Sequence, residues 1–333
     1  MGKKQRLSSQ QTVRYVHKIF KQKGAKALEL ARKEVLEEKI ECKEVREALT
    51  YFMTKYWRDM ARPSIMSMVC EAVGGDPEST TSIAVPMILV SGAIDIHDDI
   101  IDQSKRKDGR LTIYGKYGKD IALLVGDALL LKGLMLLGKA EGMGITHEKM
   151  VAIMDIVENT FFELGDAEAL ELKFRGVLSV SPQEYLHVVR KKAADVEGQT
   201  RSSAILAGAS LEQIEALGEY GRSLGVLNIL RDDWLDILDV EEMRSRIMNE
   251  SLPLPLLYAL QDPRVESTLK KILRKENISR KDAARVSKVI QKTDVPVKYA
   301  ELMSEVVEET IAVMRRAKVN NENLEILLRT LLL

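Results

Sequence analysis

Apolar side chains recur at three- and four-residue intervals over residues 24–41, 81–103, 120–140, 147–175, 183–208, 211–239 and 299–316. That interval matches the repeat of an amphipathic helix, so each stretch predicts a helix. No region alternates apolar and polar residues as a half-buried strand would. Breaks fall at Gly74-Gly75-Asp76-Pro77, Lys107-Asp108-Gly109, Gly142-Met143-Gly144, Ser179 to Pro182, Ser251 to Pro255 and Asp262-Pro263, where Gly, Pro or polar clusters interrupt the period. None is long enough to link separate domains. The pattern predicts one all-α domain over residues 1–333, a helical bundle.

Two helices break the apolar pattern in the same way. HDDIID places carboxylates at Asp98, Asp99 and Asp102, and RDDWLD repeats the spacing at Asp232, Asp233 and Asp236. Residues four apart share a helix face, so each segment aims two or three carboxylates at one point, and two such helices facing each other predict a six-carboxylate cavity. Two carboxylates about 4 Å apart repel by roughly 4 kcal/mol at an effective dielectric near 20, so such a cavity needs cations. Hard oxygen ligands select Mg2+, which keeps waters and shares its shell with phosphates. Chance supplies two such patterns on the order of once in several hundred chains. A solvated acidic face is the plain reading of either copy alone; apolar text before both (ILVSGAI and GVLNIL) argues against it for the pair.

Composition narrows the classes. Lys plus Arg and Asp plus Glu both number 50. No bulk positive field therefore draws nucleic acid or an anionic membrane. Cys42 and Cys70 are the only cysteines, too few for a disulfide framework, and read as reduced thiols of a cytoplasmic protein. No run reaches the roughly twenty consecutive apolar residues of a membrane span. The opening MGKKQRLSSQQ reads as neither a secretory signal nor a myristoylation site, Arg6 standing where Ser or Thr is needed.

In order, HDDIID, GKYGKDIALLVGDALL, the basic stretch Arg190-Lys191-Lys192, GRSLGVLNILRDDWLDI and SLPLPLLYAL resemble the trans-isoprenyl diphosphate synthases of the polyprenyl synthetase family, over roughly residues 55 to 265. The resemblance implies an all-α isoprenoid synthase fold around a central cavity, in a homodimer or a heteromeric assembly. It also implies a prenyltransferase that uses magnesium on its two aspartate segments to ionise an allylic prenyl diphosphate and condenses the product with isopentenyl diphosphate. It assigns Lys107, and Lys191 or Lys192, to diphosphate binding, with Arg231 a weaker candidate, and Arg62 to isopentenyl diphosphate. A carbocation needs an apolar, water-excluding cavity. Val90, Ala93 and Ile94, one to two turns before Asp98, are placed to line it, and a small residue at Ala93 is what a longer product needs; ordinary helix packing explains the three equally well.

Departures cluster on the acceptor side. Where relatives carry a GGKxxRP-like stretch this chain reads WRDMARP, so Arg62 and Pro63 remain but Asp59 replaces a lysine. Ser91 replaces a histidine, Lys107-Asp108 keeps one of two arginine charges and reverses the other, Asn228-Ile229 stands for Phe-Gln, and Asn249 replaces a lysine. Lys55, Arg58, Arg106 and Arg110 lie close enough in sequence to compensate. Three readings stay open: a prenyltransferase making a polyprenyl diphosphate with isopentenyl diphosphate or a related acceptor, a terpene cyclase or lyase with no second substrate, and a non-catalytic subunit of a heteromeric synthase. Among other polar residues, His97 reads as a hydrogen-bond partner of an aspartate, Asp127 as a neighbour of the metal site or a helix-start residue, Glu168 and Glu171 as pocket-lining or solvated, Trp234 as packing, and His17, His147 and His187 as surface.

Overall fold

The computed structural model describes residues 8–107 and 109–332; Asp108 and the Met-Gly opening lie outside the described residues. In chain order the helices are α1 (Ser9–Leu36), α2 (Lys43–Tyr51), α3 (Ala61–Ala72) and α4 (Thr81–Ile101). A small hairpin, β1 (Arg106–Lys107) and β2 (Arg110–Leu111), leads into α5 (Ile113–Lys139), α6 (His147–Leu172), α7 (Pro182–Lys192), α8 (Ala194–Ala207) and α9 (Leu211–Leu238). Then come α10 (Val240–Asn249), α11 (Leu254–Leu260), α12 (Glu266–Leu273), α13 (Arg280–Ile290), α14 (Val295–Arg316) and α15 (Glu322–Thr330).

Every stretch with helical spacing is helical, but the ends differ for physical reasons. α1 starts well before residue 24 because Ser8 and Gln11 form a reciprocal capping box. The stretch 183–208 is two helices, interrupted at Ala193, where the backbone leaves the ladder of α7 and Gly225 of α9 comes so close that a Cβ there would lie 2.8 Å from the Ala193 Cβ. The hairpin pairs Arg106 with Leu111 and Lys107 with Arg110, too short a ladder to leave an alternating trace.

The chain divides into two compact units. The first comprises Met1–Ile156, Gln199–Leu217 and Val319–Leu327. Its central helix, α4, is buried without a break from Ile83 to Ala93. α5 lies unusually close to it because Gly126 and Gly133, seven residues apart on one face, present no side chain: a Cβ at Gly133 would stand 2.7 Å from Val90 Cγ2 and 2.8 Å from the Pro86 carbonyl oxygen. Gly133→Leu is expected to lower stability by roughly 1–3 kcal/mol despite its better helix propensity, read as a drop in the urea midpoint, because the obstructing Pro86 atom is backbone. An unchanged midpoint would show that the helices separate freely. By length and composition alone, Pro77–Ile101 and Ile113–Met143 are each apolar enough to cross a membrane, although 72% of the apolar 18-residue stretch within the first, and 33% of that within the second, is buried in the protein. Leu124, Leu131 and Met135 give α5 an exposed apolar face.

The second unit comprises Val157–Gly198, Gly218–Lys318 and Leu328–Leu333. The Tyr299 hydroxyl of α14 donates to the Leu230 carbonyl of α9 at 2.8 Å, and the Tyr299 ring stacks on Trp234 at 5.6 Å. α9 stops where Asp239 turns to cap α10, accepting from the backbone N–H groups of Glu241 and Glu242. That reversal carries α10 back over the second aspartate segment. Pro253 then starts α11, whose first N–H is used by the same segment.

Candidate active site

The first aspartate segment is the C-terminal turn of α4, with Asp102 as its C-cap. Asp98 and Asp99 share one cation: Lys107 Nζ lies 3.1 Å from Asp98 Oδ2 and 3.0 Å from Asp99 Oδ1. The acids hold the Lys107 ammonium firmly protonated against the cost of burial. Asp99 is buried, and burial pushes its carboxyl up to about 6 although Lys107 opposes the shift. Asp98 Oδ1 is buried with no hydrogen-bond partner among the described residues. A buried acceptor left in that state calls for a cation, so the donor set fits magnesium. Tyr56, which the sequence did not mark, reaches Asp99 with its hydroxyl at 3.5 Å. His97 Nε2 sits 3.2 Å from Asp127 Oδ1 but without the geometry of a hydrogen bond, so the hydrogen bond to an aspartate expected of it is not made at that nitrogen.

The second segment, on α9, is built differently. Asp232 is exposed and accepts from Asn228 Nδ2 at 3.2 Å. Asp233 is buried with both oxygens engaged: Oδ1 accepts from the Tyr185 hydroxyl at 2.9 Å and Arg246 Nη2 at 2.8 Å, and Oδ2 accepts from Leu254 N–H at 3.1 Å. Burial pushes Asp233 up to about 6 against the pull of Arg246. Arg246 also bonds Glu250 at 3.1 Å and lies 3.7 Å from Asp236, whose carboxyl burial also raises. Among the described residues no group of three or more His, Cys, Asp or Glu is arranged to hold a metal ion by itself.

Lys191, Lys192 and Arg62 are each paired with a carboxylate of the protein. Lys191 pairs with Asp166 at 3.0 Å, and Lys192 with Glu168 at 2.8 Å and Glu171 at 2.5 Å. Burial alone would raise Glu171, but Lys192 and then Arg246 bring it down to about 2. Arg62 pairs with Asp59 at 2.8 Å. Ser91, fully buried, accepts from Gln199 Nε2 at 3.2 Å, and Asn249 donates weakly to Ser245. Val90 and Ala93 are buried on α4 and Ile94 is half-buried. Tyr185 and Arg246 escaped sequence reading because a tyrosine and an arginine on amphipathic helices carry no local mark.

Comparison with known proteins places this geometry. Residues 42–292 match the model of the polyprenyl synthetase family. The geranylgeranyl diphosphate synthase of Methanosarcina mazei is 33% identical over 192 residues, 57% of this chain and 58% of that protein. The short chain isoprenyl diphosphate synthase of Methanothermobacter thermautotrophicus is 31% identical over 182 residues, 54% and 55% of the two chains. The matched region thus spans a little over half the length of these relatives. The polyprenyl synthase of Caulobacter crescentus, solved with calcium and isoprenyl diphosphate, superimposes with a TM-score of 0.81 at 20% identity over 99% of this chain and 98% of that one, which establishes the all-α isoprenoid synthase fold. Fold and matched motifs agree: the chain belongs to the polyprenyl synthetase family.

Proposed function

We propose that this protein is a magnesium-dependent prenyltransferase that ionises an allylic prenyl diphosphate and joins the prenyl group to isopentenyl diphosphate or a related acceptor, giving a polyprenyl diphosphate. The observation that carries the reading is the first segment, two adjacent carboxylates at the end of a buried apolar helix with a buried oxygen, Asp98 Oδ1, that no donor among the described residues satisfies. Asp98, Asp99, Asp102, Asp232 and Asp236 would hold the ions, with Asp233 fixing the second segment. Bound divalent ions supply the charge neutralisation that makes diphosphate a leaving group. Lys107, Lys191 and Lys192 offer cations to its oxygens, and Val90, Ala93 and Ile94 line the path of the apolar tail and keep water from the cation. The calcium and isoprenyl diphosphate in the Caulobacter protein support the pairing of divalent ion and ligand in this fold.

The same reading takes residues 1–333 as one catalytic domain of a cytoplasmic enzyme acting as a homodimer, or in a heteromeric synthase. The exposed apolar face of α5 supports such pairing, and sedimentation of Leu131→Glu against the unaltered protein tests it. A second reading, ionisation without a second substrate as in a terpene cyclase, is favoured by the charge reversal at Asp59. Labelled farnesyl or geranylgeranyl diphosphate, incubated with magnesium and with or without isopentenyl diphosphate, distinguishes them. Chain extension only when both are present supports transfer; product without isopentenyl diphosphate supports the cyclase; no metal-dependent consumption of either allylic ester sinks both.

A further inference from the structure

The hairpin after α4 carries two cations that face each other and are held in different ways. Lys107 pairs with Arg110 across the two-strand ladder. Like charges directly opposite one another destabilise such a pair, so each needs a partner outside the hairpin. Arg110 is fixed: its Nη1 donates to the Tyr56 carbonyl at 2.9 Å and reaches the Lys55 carbonyl at 3.4 Å, and its guanidinium lies over the Tyr56 ring at 5.6 Å. The base of the hairpin is fixed as well. The Tyr51 hydroxyl donates to the Leu111 carbonyl at 2.7 Å and the Thr112 hydroxyl to the Ser104 carbonyl at 2.7 Å, while a Cβ on Gly115 of α5 would collide with the Lys105 carbonyl oxygen.

Lys107 is free to move where Arg110 is not. Its Nζ sits 3.1 Å from Asp98 Oδ2 and 3.0 Å from Asp99 Oδ1, yet its side chain is 43% exposed, so it can withdraw without opening packed core. It also fills its position incompletely. The contact to Asp98 Oδ2 is a hydrogen bond, whereas Asp98 Oδ1 and Asp99 Oδ1 are both buried with no hydrogen-bond partner among the described residues. One positive charge thus stands against two carboxylates and leaves two buried oxygens unsatisfied. A lysine is a compact, hydrated point charge on a flexible stem, suited to passing between anions where a forked guanidinium would stay with one. A divalent ion would supply the second charge and bond carboxylate oxygens directly.

We propose that Lys107 is the resting counter-ion of the first metal position and is exchanged when substrate arrives: it yields the space between Asp98 and Asp99 to a divalent ion and turns to a diphosphate oxygen, while Arg110 is a positioning residue that keeps its strand within reach of both. The inference rests on the reading that the first aspartate segment holds ions and grips an allylic diphosphate, and it adds an order of binding. No proton moves, since Lys107 is an ammonium in both positions. Without diphosphate, an incoming ion has to displace that ammonium from its counter-charges. With diphosphate present, Lys107 trades one anion for another. Metal and diphosphate therefore tighten each other's binding, and by the same factor in either order.

The test is calorimetric titration of the full-length protein with manganese, first alone and then with farnesyl thiolodiphosphate, whose C–S link resists ionisation. Lys107→Met is expected to tighten manganese binding to the diphosphate-free protein by at least about tenfold and to weaken binding of the analogue at saturating manganese by at least about tenfold, since a competing charge is lost in the first case and an attracting one in the second. The opposed signs separate exchange from a static role. A lysine that serves only the diphosphate leaves manganese binding unchanged, and one that serves only the fold weakens both. Arg110→Met keeps Lys107 and both aspartates and should shift the two affinities in the same directions by less, with Arg110→Lys restoring them in part; this comparison carries the test if Lys107→Met folds poorly. Unchanged or weaker manganese binding in the Met variants, or an analogue affinity that neither lowers, overturns the inference alone. Failure of the analogue to bind the unaltered protein at saturating manganese overturns the proposed function instead.

Discussion

Asp98→Ala is expected to lower metal-dependent release of diphosphate from farnesyl diphosphate by at least about a thousandfold, a loss of roughly 4 kcal/mol in transition-state stabilisation, while leaving the unfolding free energy of the metal-free protein within about 1 kcal/mol of its starting value. The two halves have separate causes. Asp98 Oδ1 has no donor among the described residues, so its removal breaks no bond to them at that atom and costs what a cation would have gained there. At the other oxygen, Lys107 Nζ loses one acceptor but keeps Asp99 at 3.0 Å, so no buried charge is stranded. Removing one of two adjacent carboxylates also relieves their mutual repulsion. Activity is read as released diphosphate and stability as urea unfolding in EDTA. A variant that unfolds early, or one that keeps its turnover, removes Asp98 from the role assigned to it.

The residues legible in the sequence were those whose meaning is local. The HDDIID segment is read correctly as the end of a buried apolar helix because spacing and neighbours lie within a few turns, and α4 shows both. Asp59 was legible as a changed charge, but its consequence was not: that its carboxylate would close on Arg62 and cap α3 depends on the turn before α3. Contacts of long sequence separation left no trace. Tyr56 meets Asp99 across 43 positions, and Tyr185 meets Asp233 across 48. The division of 183–208 was hidden for a similar reason, since no breaker marks Ala193 and the close approach of Gly225 comes from another helix. The two aspartate patterns look equivalent on paper. What separates them is the set of donors at the second carboxylate of each pair: Tyr185, Arg246 and the Leu254 N–H around Asp233, against Lys107 and the more distant Tyr56 hydroxyl around Asp99.

That difference makes Asp233→Ala the complement of Asp98→Ala, with its main effect on the fold. Asp233 is 2% exposed, and three donors lose their acceptor when it is removed. The largest cost is Arg246, a guanidinium with its side chain only 15% exposed, which loses its closest counter-charge and keeps Asp236 at 3.7 Å and Glu250 at 3.1 Å. Breaking one partner of a buried ion pair typically costs about 3–5 kcal/mol, and an unsatisfied buried N–H or hydroxyl about 1–3 kcal/mol. Asp233→Ala is therefore expected to destabilise by roughly 3–5 kcal/mol in urea, with Asp233→Asn milder because its amide oxygen can still accept. Asp233→Ala combined with Arg246→Met removes the stranded charge with its partner and should recover at least about 1 kcal/mol of the loss. Should Asp233→Ala unfold at the original urea midpoint while losing manganese binding, Asp233 would be a metal ligand like its neighbours, and the ion pair with Arg246 would give way whenever an ion arrives.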